Sequence, residues 1–203
     1  MQPPAWAVQG STQLTLDEFG ACFAQAWARL TTRFVKLECW QTYVEAEANH
    51  SQEAYNRGDL AEAYELLQHE AEADHALYKK VQQREIDYAR LRLVQEPLTP
   101  YLGYELMAYQ IRAAMGENIE VVCCDATLRL PNQDYFDFLL FDRHTALIHD
   151  YGKLGRQAGG WLSKDSKVIA RLESTALGLR RTATPLVKFL AHMAPGTNRD
   201  VVR

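Results

Sequence analysis

The stretch ARLRLVQEPLTPYLGYELMAYQIRAAMGENIEVV, Ala89 to Val122, decides how this chain is read. Its opening alternates, with Leu91 and Leu93 on one side and Arg90 and Arg92 on the other, which is the pattern of a half-buried strand. Thr99 then offers a helix cap, and Pro100 takes the first helical position, where a missing N–H costs nothing. Leu102, Leu106, Tyr109 and Ala113 recur at helical spacing as an apolar stripe. Tyr101, Glu105 and Arg112 form a neighbouring polar stripe. Gly116 stops the helix and NIEVV begins a second strand. The unit is therefore strand, turn, helix, strand, with Arg92 and Glu105 brought toward the turn QEPLTP. In open α/β sheets, ligands favour crevices at such strand ends.

Outward from this unit, Leu14 to Phe19 opens an earlier helix. Thr15 and Glu18 have the spacing of a capping box, and Leu14 is placed to staple onto Phe19. Leu16, Phe19, Phe23, Trp27 and Leu30 mark its core side. RFVKLECW reads as a short strand. Residues 41–83 read as an acidic helical hairpin inserted on the core, with Leu60, Tyr64, Leu67, Ala71 and Tyr78 as its stripe and Gly58-Asp59 as its break. YFDFLLFD and TALIHDY read as a strand hairpin across Asp142-Arg143-His144, and GKLGRQAGGW as a glycine-rich loop. A helix follows Ser163 or Asp165, a last short helix begins at Thr184-Pro185, and residues 194–203 read as a loose tail. The expected fold is α+β (mixed α/β): one domain over residues 1–203, with a central mixed sheet and flanking helices.

Composition agrees with a packed domain. The 203 residues are 47% hydrophobic and 10% aromatic, enough for a core. No apolar run approaches the roughly 18 residues of a membrane span, and MQPPAWAVQGSTQ lacks the pattern of a secretory leader. Cys22, Cys39, Cys123 and Cys124 have no framework spacing, so free thiols and a cytoplasmic setting are expected. The net charge of −4 is unevenly spread. Nine carboxylates and a single arginine lie between Gln41 and Asp74, whereas ten Lys or Arg face three acids from Tyr151 onward. The basic third would suit an acidic partner, nucleic acid among them, although it has no interleaved aromatics or nucleic-acid motif, which makes that the minor reading.

Chemical motifs are sparse. HEAEADH places His75 six residues after His69, off the face that a zincin helix requires. CxxC, GxSxG, GxGxxG and the phosphate-loop order are all missing, so neither a metal nor a cofactor is expected. His149, at a strand end, reads as structural.

Several segments resemble an actinobacterial family of unknown function whose members are often encoded beside helix-turn-helix regulators. The likeness is carried by FVKLECWQTY, RLRLVQEPLTPYLGYEL, AAMGENIEVV and LPNQDYFDFLLFD. It maps the family pattern onto Glu38, Tyr43, Arg92, Glu96, Pro97, Tyr101, Glu105, Gly116, Glu117, Asp134, Phe141 and Asp142. The sequence departs from the pattern at Gln41-Thr42, where an acidic residue is usual. The stretch from IEVV to the last helices also resembles the effector half of antitoxin-like transcriptional regulators, although LTLDEFGACFAQAW lacks the second helix that a helix-turn-helix needs. The resemblance implies a regulatory or interaction protein that binds a small polar ligand or a protein partner, such as a helix-turn-helix regulator, and it transfers no catalytic residues. The ligand-binding set expected from residues and resemblance together is Glu38, Arg92, Tyr101, Glu105, Asp134 and Asp142. The alternative is an enzyme of small-molecule metabolism with Glu105, Glu38 or Asp142 as general base.

Overall fold

The structure, a computed structural model, describes residues 3–43, 49–152 and 155–193. Its strands are β1 (Thr12–Thr15), β2 (Arg33–Glu38), β3 (Asp87–Gln95), β4 (Ile119–Cys124), β5 (Phe138–Phe141), β6 (Thr145–Asp150), β7 (Gly159–Ser163) and β8 (Thr184–Pro185). Its helices are α1 (Ala5–Val8), α2 (Leu16–Arg29), α3 (His50–Asn56), α4 (Leu60–Glu72), α5 (His75–Gln83), α6 (Pro100–Ala114), α7 (Ser166–Arg180) and α8 (Leu186–Met193). The strands form one mixed sheet in the order β1-β7-β6-β5-β2-β3-β4-β8. At its centre β2, β3 and β4 run parallel, and antiparallel pairings extend it on both sides. The fold is α+β.

Parallel neighbours need long crossovers. Here α3–α5 link β2 to β3, and α6 links β3 to β4. Both faces of the sheet are consequently covered. On one face α7 inserts Val168, Ile169, Leu172 and Ala176 against Val35, Leu37, Leu91, Leu93 and Ile148. Truncating a buried leucine such as Leu172 to Ala in such a layer costs ~2–5 kcal/mol. On the other face α2 and α5 cover Phe34, Tyr88, Leu139 and Phe141, and α6 with α8 covers Val94, Ile119 and Val121.

The local logic of the ends holds. Thr15 and Glu18 form the capping box, and Thr99 caps α6 with Pro100 beside it. The hairpin of β5 and β6 turns through Asp142, which adopts φ 50°. Four readings change. Among its described residues the acidic segment holds three helices rather than a hairpin; α4 buries Ala63, Leu67 and Ala71, while Leu60 and Tyr64 are exposed. Leu16 is likewise exposed, because it opens α2 on the side away from the sheet. GGWLS is a strand, where Gly160 lies so close to Phe19 and the Ile148 carbonyl that a side chain would not fit. Thr184 and Pro185 pair with β4 before α8 begins. The tail reading falls on residues 194–203, outside those described.

Candidate functional site

The decisive geometry is the register of β2 on β3. Phe34, Lys36 and Glu38 lie opposite Tyr88, Arg90 and Arg92. Since side chains alternate across a sheet, these six share one face. The face thus grades from aromatic, through two cations, to a carboxylate beside a guanidinium. His149 of β6 joins them, and α6 lies above the charged end with Tyr101, Glu105, Tyr109 and Arg112 turned toward it. Lys36, Glu38, Arg90, Arg92, His149 and these α6 side chains, with Trp40, Glu70, Asp137 and Tyr151, line a cavity of about 340 Å3.

Its walls are ionic and internally bonded. Arg90 Nη1 donates to both oxygens of Glu38 at 3.1 and 3.0 Å, and Arg90 Nε donates to Glu117 Oε1 at 2.7 Å. Glu117 also accepts from the hydroxyls of Tyr78 and Tyr88 at 2.9 and 2.7 Å. Lys36 Nζ lies 2.6 Å from Glu38 Oε1. Burial opposes ionisation of Glu38, but Arg90, Lys36 and Arg92 outweigh it and hold the carboxyl well below the usual range. Burial likewise works against the charge on Glu117, and Arg90 with the tyrosine hydroxyls prevails, lowering its pKa.

Arg92 and Glu105 do meet: Nη2 lies 3.3 Å from Oε2. Arg92 is 2% exposed and also donates to the Trp40 carbonyl, while its Nε has no hydrogen-bond partner among the described residues. The Tyr109 hydroxyl sits 2.5 Å from Glu105 Oε2 and 2.8 Å from Glu38 Oε2. A phenol has one hydrogen, so it cannot donate to both at once. Burial, then the charges of Glu105 and Glu38, drives the Tyr109 pKa well up, keeping the phenol protonated.

A second polar cluster completes the wall. Asp137 accepts from the Cys39 N–H at 2.6 Å and from the Tyr151 hydroxyl at 2.7 Å. Burial, followed by the nearby charge of Glu38, pushes its pKa up to about 6. The His149 ring lies parallel to Tyr151, with centroids 5.6 Å apart and planes 9° apart. Burial and then Lys36 lower its pKa to about 3, so the imidazole is neutral at pH 7.

Of the six residues expected from sequence, the fold gathers Glu38, Arg92, Tyr101 and Glu105 around this cavity. Asp134 and Asp142 lie outside it. Asp134 is an exposed loop residue 4.0 Å from Arg171. Asp142 caps the chain entering β2: its carboxylate accepts from the backbone N–H groups of Thr31, Thr32 and Arg33. Lys36, Arg90, Tyr109, Asp137, His149 and Tyr151 were not singled out for the site. A signal for the first two was present. FVKLE alternates in phase with ARLRL, so parallel pairing sets Lys36 and Glu38 beside Arg90 and Arg92. Tyr109 was read as part of the apolar stripe, and its ring is indeed buried there, but its hydroxyl reaches two carboxylates. The basic final third is partly consumed by the fold: Arg180 binds Asp87 and Glu120, and Arg171 covers the Trp6 ring at 3.8 Å.

No helix among the described residues is long and apolar enough to cross a membrane. No curated protein matches the chain significantly. Among solved structures, TrmBL2, an archaeal chromatin protein with a novel mode of DNA binding, is similar at 9% identity and a TM-score of 0.44. That likeness covers 91% of this chain but only 56% of the archaeal one, so the chain spans little more than half of that protein's length. The model of a family described as a domain of unknown function, DUF6879, matches residues 21–191. The chain belongs to that family.

Proposed function

We propose that the cavity between the charged face of the sheet and α6 binds a small polar molecule. On this reading the chain is a regulatory or interaction protein of actinobacterial type that binds a small polar ligand or a protein partner, a helix-turn-helix regulator being one candidate. The observation that carries the reading is Arg92: a guanidinium buried to 2% exposure at a cavity wall, with Nε unpaired among the described residues. An unsatisfied buried donor costs stability, and buried charge pairs are weak devices for stability alone. A ligand oxygen in the cavity would pair with the Arg92 charge, and Nε, itself covered, would be satisfied on a turn of the guanidinium toward the ligand. Glu105 Oε1, which makes no hydrogen bond among the described residues, would accept from a ligand N–H or O–H.

The test is a thermal-shift panel of amino acids, small amines and hydroxy acids on the wild-type chain and on Glu105→Gln and Tyr101→Phe. A ligand at 100 times its Kd adds about 2.7 kcal/mol, or ~5–11 °C for a chain of this size. The expected outcome is one chemical class that shifts the wild type and shifts Glu105→Gln by less than half as much. A full-sized shift in both variants rejects the site, as does a panel with no member that shifts the melting temperature.

Asp137 supports a second reading, an enzyme. A carboxyl with a pKa of about 6, bonded to Tyr151 in the cavity wall, suits general acid–base work near neutral pH. It requires turnover: mass spectrometry would show a panel ligand being consumed, and Asp137→Asn would stop it. A ligand that binds and is recovered unchanged removes this reading.

A further inference from the structure

The charged cavity does not end at Arg90. A second recess of about 230 Å3 continues along the same sheet face toward α2, with Phe19, Phe23, Trp27 and Phe34 in its walls. The two hollows share Lys36, Arg90, Arg112 and His149. This continuity follows from the β2–β3 register. Successive same-face pairs, Phe34 with Tyr88 and then Lys36 with Arg90, lie two residues apart, roughly 6–7 Å along the strand. The recess is built of rings: Trp27 meets Phe34 edge-on at 5.1 Å, and Phe23 lies parallel to Trp27 at 6.0 Å. The His149 ring stands between Phe19 at 4.9 Å and Tyr151 at 5.6 Å, so it marks the threshold.

Formal charge at that threshold is balanced, with Lys36, Arg90 and Arg112 facing Glu38, Glu117 and Asp74. Hydrogen-bonding capacity is not balanced. Glu38 Oε1 already accepts from Arg90 and Lys36, and Oε2 accepts from Arg90 with the Tyr109 hydroxyl 2.8 Å away. Glu117 accepts from Arg90 and two tyrosines. On the donor side, the Lys36 ammonium has three hydrogens and contacts Glu38 only, among the described residues. Arg112 has five and gives one to Asp74 through Nη1. Spare donors on Lys36 and Arg112, beside the engaged Glu38 and Glu117 and with one oxygen of Asp74 left open among the described residues, call for an acceptor-rich group, and a charge-assisted acceptor bonds them about twice as strongly as a neutral one.

We infer that the two hollows form one site for an amphipathic organic acid, with its carboxylate on Lys36 and Arg112 and its ring in the aromatic recess. This inference rests on the reading of the charged cavity as a ligand site and names the class of ligand. Ring faces and edges in the recess favour an aromatic body over a purely aliphatic one.

The probes are 2-naphthoate, its neutral amide 2-naphthamide, and acetate, titrated calorimetrically into the wild-type chain, Lys36→Met and Leu77→Trp. Lys36→Met keeps the stem and removes the donors. Leu77→Trp, from the half-buried rim on α5, fills the recess. The expected result is binding of 2-naphthoate, at least tenfold weaker binding of the amide and of acetate, and at least a tenfold loss in each variant. Absence of 2-naphthoate binding overturns the inference, as does equal affinity for acid and amide, or unchanged affinity in either variant. If a purely polar panel compound binds while 2-naphthoate does not, the amphipathic ligand falls and the charged site stands. If Leu77→Trp removes 2-naphthoate yet leaves a polar compound bound, the two-hollow arrangement is supported directly.

Discussion

Glu117 provides the sharpest test of the buried ionic network, because its side chain is fully buried and all of its partners are known. The perturbation is Glu117→Gln, which keeps size and an acceptor but removes the charge. Arg90 then loses one of two anionic partners, and Glu38 remains. Breaking a buried pair outright costs ~3–5 kcal/mol; retention of Glu38 puts the loss below that range. Two tyrosine bonds also fall from charge-assisted to neutral, each worth roughly 0.5–1 kcal/mol. The sum is about 3 kcal/mol, equivalent to ~6–12 °C in Tm for a chain this long. Urea denaturation at pH 7 measures it. The folded-state pKa of Glu117 is depressed, so its contribution is present above the unfolded value of about 4.5 and is lost as pH falls through the folded one. The gap between wild type and variant therefore narrows below pH 4.5. A loss under 1 kcal/mol at pH 7, or a gap that widens on acidification, would falsify the account of Arg90 as a cation that needs both carboxylates.

Three other perturbations follow from particular contacts. Asp142→Ala removes the acceptor for three backbone N–H groups at the entry to β2 and costs about 2 kcal/mol at pH 7 by urea denaturation. These bonds hold its pKa down at about 2 despite partial burial, so the deficit fades as pH falls from 3.8 toward 2, and ligand affinity at the cavity is unchanged. Gly160→Ala sets a Cβ 2.2 Å from the Ile148 carbonyl and 2.7 Å from the Phe19 ring, and loses ~3 kcal/mol or more, whereas Gly20→Ala on the open side of α2 gains ~0.5–1 kcal/mol in the same thermal melts. Asp137 has a raised folded pKa, so its contribution is complete below about 3.8 and disappears as pH rises through about 6. Wild type minus Asp137→Asn, followed by melts from pH 4 to 8, should lose ~3 kcal/mol across that window. His149 changes in the opposite sense over 6.5 to 3 and cancels in the difference.

Much of the fold could be read from periodicity and capping. Thr15 with Glu18, Thr99 with Pro100, and the two-run hairpin around Asp142 are local devices whose partners lie a few residues away. What could not be read is what covers each face. ARLRL alternates as a half-buried strand does, and the physical assumption was that arginine faces water. In the middle of a parallel sheet no face is left for water, because α6 and the acidic helices close over it, and seven of the nine residues of β3 are buried. The same assumption hid Tyr109 among leucines. Asp134 and Asp142 show the converse: a carboxylate that matches a pattern acts as a local cap or faces solvent unless the strand order carries it inward.

The placement of charge along the sheet bears directly on what the molecule is built to do. Past the Arg33–Asp87 pair at its start, which is bound to Glu173 and Arg180 of α7, the α7 face of β2 and β3 is apolar, with Val35, Leu37, Leu91 and Leu93 in one buried cluster. The opposite face of the same two strands opens with Phe34 and Tyr88 and could have continued so under α6. It carries Lys36, Glu38, Arg90 and Arg92 instead, at two successive same-face positions on each strand, and leaves a hollow beside them. Replacing such buried pairs with well-packed apolar side chains is often neutral or stabilising by ~1–4 kcal/mol. Stability alone is therefore a weak account of the charges; on the proposed reading they serve recognition, arranging fixed donors and acceptors in a low-dielectric space where each hydrogen bond discriminates strongly. Apolar replacement of Lys36, Arg90 and Arg92 together with their partners Glu38, Glu105 and Glu117, which leaves none of these charges orphaned, should accordingly melt no lower than the wild type while losing all ligand binding. A collapse of the fold in that variant would show instead that the ionic face is structural.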